Sequence, residues 1–481
     1  MTDSPNTFKR NLKLIDSTAI VIGSMIGSGI FIVSADMSRQ LGSPGWLLIA
    51  WIITGILTII AALSYGELAG MMPKAGGQYV YLREAFNPLT GFLYGWSLFA
   101  VIQTGTIAAV GMAFAKFMGV LVPWFSEKNV WLDLGFMKFN TVQILAISSI
   151  VILTWLNSRG IKAGKIVQNS FTFTKFLALL VFLVIGLFFA SNSDAIHFNS
   201  SIFWSAVQTN KDGSIVTALS GFAIVAAIGT AMVGSLFSSD AWNNITFTAS
   251  EVVNPKRNIP LSLFLGTLIV TIIYLLMNVV YLQVLPLRGT HEAATVVQRG
   301  MQFATDDRLG TASMSNIFGN SAVIIMAVFI VISTFGCNNG LILAGARVYH
   351  TMSNDGLFFS KVGKLNKHQV PSTGLYIQCV WASLLCLSGR YSDLLDYVVF
   401  TVLIFYVLTI LSVYVLRIKK PDAERPYKAF GYPVLPAIYI ITAIFIMVIL
   451  LIYKPLYTWP GLIIVAIGVP IYYIWKYLKR K

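Results

Sequence analysis

Three patterns in this sequence could do chemistry, and none of them is an enzyme's. The first is GSMIGSGIF, Gly23 to Phe31, which sets three glycines and two serines inside an apolar run. Breaking a helix in lipid strands N–H and C=O groups, at several kcal/mol for each group left unpaired. Such a break persists when something else completes those hydrogen bonds. Bare backbone at Gly27 and Gly29 admits a ligand closely, and the half-helix after Ser28 turns its N–H groups and positive dipole end toward an anion. Carbonyls freed just before it, around Ser24, Met25 and Ile26, suit an ammonium. A zwitterion fits both ends. The competing reading is packing: Gly23/Gly27 and Ser24/Ser28 are small-xxx-small pairs that let membrane helices approach.

The second pattern is FSSDAWNN, Phe237 to Asn244, another polar interruption of an apolar run. Its Asp240 could contact a cationic substrate, titrate in a proton-coupled cycle, or cap the half-helix that follows. All three roles stay open at this stage, and the choice of substrate depends on them. Glu67, near the end of its span, is a weaker candidate for titration. The third is Lys175, in VQNSFTFTKFLALL, about ten residues or ~15 Å into its apolar segment. A mid-span lysine costs about 2.5–3.5 kcal/mol on insertion scales, so it either snorkels to the interface or is paired inside a bundle.

The elements that hold these residues are membrane helices. The chain has 481 residues, 56% of them hydrophobic and only 11% charged. About twelve apolar runs are long enough to cross a ~30 Å hydrocarbon core. They lie near 14–40, 46–71, 89–121, 141–157, 165–190, 216–246, 260–285, 318–354, 371–389, 393–417, 433–454 and 457–478. The first run is too long and too glycine-interrupted for a cleavable signal peptide. With the N-terminus inside, roughly 23 of the Lys and Arg fall on the cytoplasmic side and roughly 10 outside. The inner clusters include Lys9/Arg10/Lys13, Arg159/Lys162/Lys165 and Lys476/Lys479/Arg480/Lys481. That is a positive-inside pattern with both termini cytoplasmic, which assigns the net charge of +15 to lipid headgroups rather than to nucleic acid.

The two interrupted spans are the first and the sixth. Five spans per unit give the second unit opposite polarity, hence an inverted repeat, and paired broken helices point to a transporter's central site. The expected organisation is a cytoplasmic tail 1–13, a first repeat 14–190, a second repeat 216–417, two further helices within 433–478 and a cytoplasmic end 479–481. A membrane enzyme would need titratable groups converging on facing helices. The four histidines, His197, His291, His350 and His368, sit in loops or at span ends without metal-ligand spacing, so no cofactor or metal is expected. A pore would want rings of carbonyls or charges rather than one converging pair.

GSMIGSGIF followed by LGSPGWLLIAWIITGILTIIAALSYGELAGMMPKAGGQYVYL resembles the amino acid–polyamine–organocation superfamily, most of all its L-type amino acid transporter branch. FSSDAWNNITFTASEVVNPKRNIP, STFGCNNGLILAGARVYHTMSNDGLF and RIKKPDAERPYKAFGYPVLP extend the resemblance along nearly the whole chain, in order. It implies an all-α polytopic fold, a five-plus-five inverted repeat with two C-terminal helices, helices 1 and 6 unwound, and alternating access. By the same resemblance the N–H groups at Ser28 and Gly29 bind the substrate carboxylate. Carbonyls near Met25, Phe237 and Asp240 take its ammonium, with Ser238 beside them. Phe237 closes over the substrate as a gate, and Lys175 stands where other members hold sodium, bridging spans one and eight. Animal members are disulfide-linked to a single-pass glycoprotein through a cysteine between spans three and four. Residues 122–140 have no cysteine, so no such subunit is expected, and a bacterial-type protein of the cell membrane is implied. The expected function is sodium-independent exchange of neutral L-amino acids. The alternatives are proton-coupled symport, exchange of cationic amino acids, and a non-transporting amino acid sensor.

Overall fold

The computed structural model describes residues 10–133, 138–388 and 391–478. Most of the expected N-terminal tail, with Lys9, and the C-terminal end 479–481 lie outside the described residues. Fifteen helices carry the architecture: α1 (Leu14–Met25), α2 (Val33–Leu41), α3 (Pro44–Met71), α4 (Gln78–Ala85), α5 (Pro88–Leu121), α6 (Thr141–Ser158), α7 (Ile161–Phe188), α8 (Phe222–Ser238), α9 (Asn244–Phe247), α10 (Pro255–Val284), α11 (Asn320–Asn354), α12 (Ser372–Ser388), α13 (Tyr391–Lys419), α14 (Val434–Tyr453) and α15 (Pro455–Leu478).

Among the described residues nine helices are long and apolar enough to span a bilayer, and Leu14–Met25, Phe222–Ser238 and Ser372–Leu387 are shorter apolar helices. Together they make the expected twelve spans, two of them broken: α1 and α2 form the first, α8 and α9 the sixth. Local chemistry sets their ends. Pro44 and Pro88 open α3 and α5 behind the caps Ser43 and Asn87, whose side chains accept from Trp46 and Thr90 N–H groups at 3.4 and 2.9 Å. Gly42, in the left-handed region at φ 57°, ends α2.

Two features depart from the sequence reading. The sixth span starts at Phe222 rather than 216, because Ile215–Ala218 is a strand paired antiparallel with Val207–Thr209. The β-branched run Ile215-Val216-Thr217 prefers an extended chain once a partner strand is present. A second hairpin pairs Val130–Asp133 with Lys138–Asn140, and α4 is a short helix where no element was expected.

The core is built around the first span. α1 packs against α7, α10 and α11, and α8 packs against α2, α3, α13 and α14. The broken ends of spans one and six thus meet near the centre of the bundle, shielded from lipid.

Candidate functional site

The first break begins at Ile26, one residue before the glycines. Ile26 takes an extended conformation (ψ 92°), and the helix resumes as a tight turn over Gly29–Phe31 before α2. Extending the backbone there frees the last carbonyls of α1, and side chains from three other helices occupy them. Lys175 of α7, which is 2% exposed, donates from Nζ to Gly23 O at 2.5 Å and Ile26 O at 2.7 Å. Ser333 of α11 donates to Ile26 O and Gly27 O at 3.4 Å each, and Cys337, one turn on, donates to Ser24 O at 3.1 Å. Tyr274 of α10 donates to Met25 O at 3.0 Å. Lys175 therefore does not snorkel. It meets α11 at a shared carbonyl, that of Ile26.

The second break runs from Ser239 to Asn243, with Ala241 at φ 65°. A non-glycine residue in the left-handed region costs of order 1–2 kcal/mol and reverses the chain sharply. The backbone turns back on itself, Asp240 N–H donating to Phe237 O at 3.1 Å and Asn244 N–H to Ala241 O at 3.2 Å. Asp240 does not serve as the N-cap of α9, which is Asn243. Its carboxylate instead accepts from the Tyr406 hydroxyl of α13. Among the described residues it has no ion-pair partner. Asn243 donates to Gln78 Oε1 at 3.0 Å, and Gln78 to Phe405 O at 3.1 Å, tying this break to α4 and α13.

The structure brings part of the expected set together. A Cβ at Gly29 would lie 2.1 Å from Ser238 Oγ and 2.9 Å from its Cα, so the two breaks touch backbone to backbone at this glycine. Gly27 abuts Cys337, its missing Cβ 3.1 Å from the sulfur. Phe237 is buried in the last turn of α8, 6% exposed. Asp240 points away from the first break. It lines two cavities of about 20 Å³ each, one shared with Gln78, Gln103, Thr106, Asn244 and Tyr406, the other with Thr58, Trp242 and Tyr439. Each holds about one water, and neither admits an amino acid. A charged cavity of about 430 Å³ lies beyond the turn, reaching from Ile32 to Arg39, Lys116 and Asp307. Arg39 pairs there with Asp307 at 2.6 Å and Asp36 at 3.1 Å.

Sequence reasoning missed Tyr274, Ser333, Cys337 and Tyr406. A signal exists for some of them. Ser333 and Cys337 are four apart on one helical face, and Tyr274 and Tyr281 are seven apart, with Tyr281 donating to Ile30 O at 3.2 Å. Glu67 is fully buried and accepts from Arg417 at 2.9 and 2.6 Å and from the Ala429 N–H at 2.7 Å.

Comparison with known proteins agrees with this architecture. The family model for amino acid permeases matches residues 12–473. Human large neutral amino acids transporter small subunit 2 is 28% identical over 482 residues, covering 98% of this chain and 82% of the relative. Mouse b(0,+)-type amino acid transporter 1 is 27% identical, covering 98% and 89%, and mouse Asc-type amino acid transporter 1 is 27% identical, covering 98% and 82%. Twelve spans, two of them broken and in contact, and a family model spanning nearly the whole chain lead to one conclusion: this chain belongs to the amino acid permease family, in the amino acid–polyamine–organocation superfamily, with L-type transporters among its relatives.

Proposed function

We propose that this chain is a sodium-independent amino acid transporter of the cell membrane, working by alternating access and exchanging neutral L-amino acids. The observation that carries the proposal is the crowd of freed carbonyls at Gly23, Ser24, Met25 and Ile26, with a lysine Nζ on two of them. In this reading Lys175 does the electrostatic work of a bound sodium ion, holding oxygen dipoles that would otherwise repel one another. The N–H groups at Ser28 and Gly29, at the start of a helical turn, receive the substrate carboxylate. The carbonyls of Met25, Phe237 and Asp240 receive its ammonium, and Phe237 closes over the bound molecule. The names of the relatives support an amino acid as cargo.

A second reading rests on Asp240. A buried carboxylate without a cationic partner is costly, and a lysine- or arginine-like substrate would supply the missing charge. A proton would serve as well, making the cycle a symport. No disulfide-linked subunit is proposed, since Cys337, Cys379 and Cys386 are all buried.

The test is uptake of labelled leucine, serine and arginine into sodium-free proteoliposomes, preloaded with unlabelled amino acid or empty, with and without an inward proton gradient. Exchange of neutral amino acids predicts uptake into preloaded vesicles only, indifferent to the gradient. Gradient-driven uptake into empty vesicles selects symport, arginine uptake selects the cationic reading, and binding without uptake in any arm selects a sensor.

A further inference from the structure

The charged cavity beyond the first break, about 430 Å³ in volume, plays no part in the site described above. Its size is that of a small-molecule site. Ile32, which joins the Gly29–Phe31 turn to α2, lines it together with Arg39 of α2, Lys116 of α5 and Glu127 just after α5. The rest of its wall comes from Lys211, in the turn of the Val207–Ala218 hairpin, and from the connection between α10 and α11.

The charges of this cavity are unequally used. Asp307 holds Arg39 at 2.6 Å, and Asp306 holds Arg308 at 2.7 Å. Both aspartates take left-handed backbone, φ 52° and 59°, a costly conformation for residues other than glycine and one that collects at ligand clamps. Lys116 differs. It is half-buried near the end of a membrane helix, yet among the described residues its Nζ makes neither an ion pair nor a hydrogen bond. The charged groups around it are the carboxylates of Asp307, Glu127 and Asp306 and the guanidinium of Arg308. Arginines occupy the two aspartates, whereas Glu127 is exposed and has no ion pair among the described residues. An ammonium and a carboxylate thus line one open space without closing on each other, which leaves room for a ligand with opposite charges at its two ends.

A second cavity, of about 240 Å³, adjoins the first and shares Arg299, Ala304 and Thr305 with it. Val120, Val296, Ala312 and Val323 give this annex an aliphatic surface. We propose that the two cavities together form an outer amino acid site: Lys116 receives the carboxylate, Glu127 the ammonium, and the annex the side chain. The inference rests on an amino acid as cargo, as proposed above, and gives that cargo a second place on the protein. On the orientation that the charge pattern predicts, the site faces outward, and a molecule held there stands beside Ile32 at the threshold of the first break. The annex favours leucine over serine, because an aliphatic side chain leaves water on entering it. Neutral amino acids are therefore sorted by side chain before the backbone of the first break binds what they share. Open to water and screened by salt, the outer site is weak, about millimolar, and adds little thermal stability at micromolar amino acid.

The test is equilibrium binding of labelled leucine and serine to the purified full chain, for the parent, Lys116→Met and Glu127→Gln. The parent is expected to bind leucine in two components, one tight and one about millimolar. Lys116→Met keeps the bulk of the side chain and removes its charge. It should weaken the second component about tenfold, as loss of a charge-assisted hydrogen bond does, and leave the tight one within about threefold. Glu127 is exposed, so Glu127→Gln remains a folded probe if the lysine variant fails, and it should reproduce the loss. Serine should fill the weak component about tenfold less well than leucine. Leucinamide, which lacks the carboxylate, and 4-methylpentanoate, which lacks the ammonium, should each compete for it about tenfold less well than leucine. A single component that neither substitution alters overturns the outer site and leaves the central one standing. A single component lost in both variants keeps the outer site and refutes the central reading. Competition by 4-methylpentanoate as strong as by leucine would reduce Lys116 to a plain anion site, and equal binding of leucine and serine would leave the annex without a role. Either result overturns the proposal. A parent that binds neither amino acid refutes both sites.

Discussion

The two broken helices solve the same problem by different means. The first break gives up its helix carbonyls to other helices: Lys175, Tyr274, Ser333 and Cys337 each reach in from α7, α10 or α11. The second break keeps its backbone largely to itself through tight turns and a left-handed Ala241, and presents a side-chain carboxylate held by Tyr406. A backbone held by surrounding side chains recognises what every amino acid has in common. A side chain on a self-supporting turn can be exchanged without collapsing the fold, and so can distinguish one substrate from another. On the reading proposed here, the first break is the general half of the site and the second the selective half.

That contrast can be broken most severely at Lys175. Lys175→Ala leaves the Gly23 and Ile26 carbonyls without their charged donor, at about 1–3 kcal/mol for each unsatisfied group. Exchange of every substrate is expected to fall by about two orders of magnitude or more, read by uptake into preloaded vesicles. A variant that lost only one class of substrate would show that the first break is not general.

Gly29→Val comes next. Its side chain collides with Ser238, whose Cβ and Cα would lie 2.7 and 2.9 Å from the new Cβ. Amino acid-induced thermal stabilisation should disappear, and Ser238→Ala should not restore it, because the clash is with atoms that alanine keeps.

Changes in the second break should be smaller and selective. Asp240→Asn is expected to lower arginine uptake about tenfold, a hydrogen bond to a charged group being worth about 1.5–3 kcal/mol, while leucine exchange stays within about threefold. Uniform loss across substrates would erase the distinction between the breaks. Tyr406→Phe should reproduce the direction at reduced size, since it removes the partner rather than the charge.

The smallest effect is expected far from both breaks. Glu84, on α4, accepts a hydrogen bond from Lys420 at 3.0 Å, which holds its carboxyl below the usual carboxylate range. Its contribution is therefore complete at neutral pH and fades as pH falls through the depressed value. Glu84→Gln should flatten the acid limb of the melting profile slightly and leave the ratio of leucine to arginine uptake untouched.

Much of this was legible in the residues. Twelve spans follow from the lengths of apolar runs, because lipid demands about twenty such residues per helix. The two interruptions were legible because glycine, serine and aspartate inside those runs contradict everything around them. The small hairpins and α4 were not, since a strand needs a partner that local composition does not name. Asp240 shows the limit most clearly. Capping, titration and substrate contact were all compatible with its position in the sequence. The structure adds a hydrogen bond from Tyr406, a residue 166 positions away, which no local pattern names.

The sequence by itself determined the class of molecule, the number of spans and the places where two helices must break. Those are consequences of hydrophobicity and backbone freedom, which each residue carries with it. The tertiary structure alone decided what completes the broken backbone: Lys175 at 149 residues from Ile26, and Tyr274 at 249 from Met25. Such partners meet because separate helices bury their apolar faces against one another, and their hydrogen bonds form wherever that packing brings donor and carbonyl within reach.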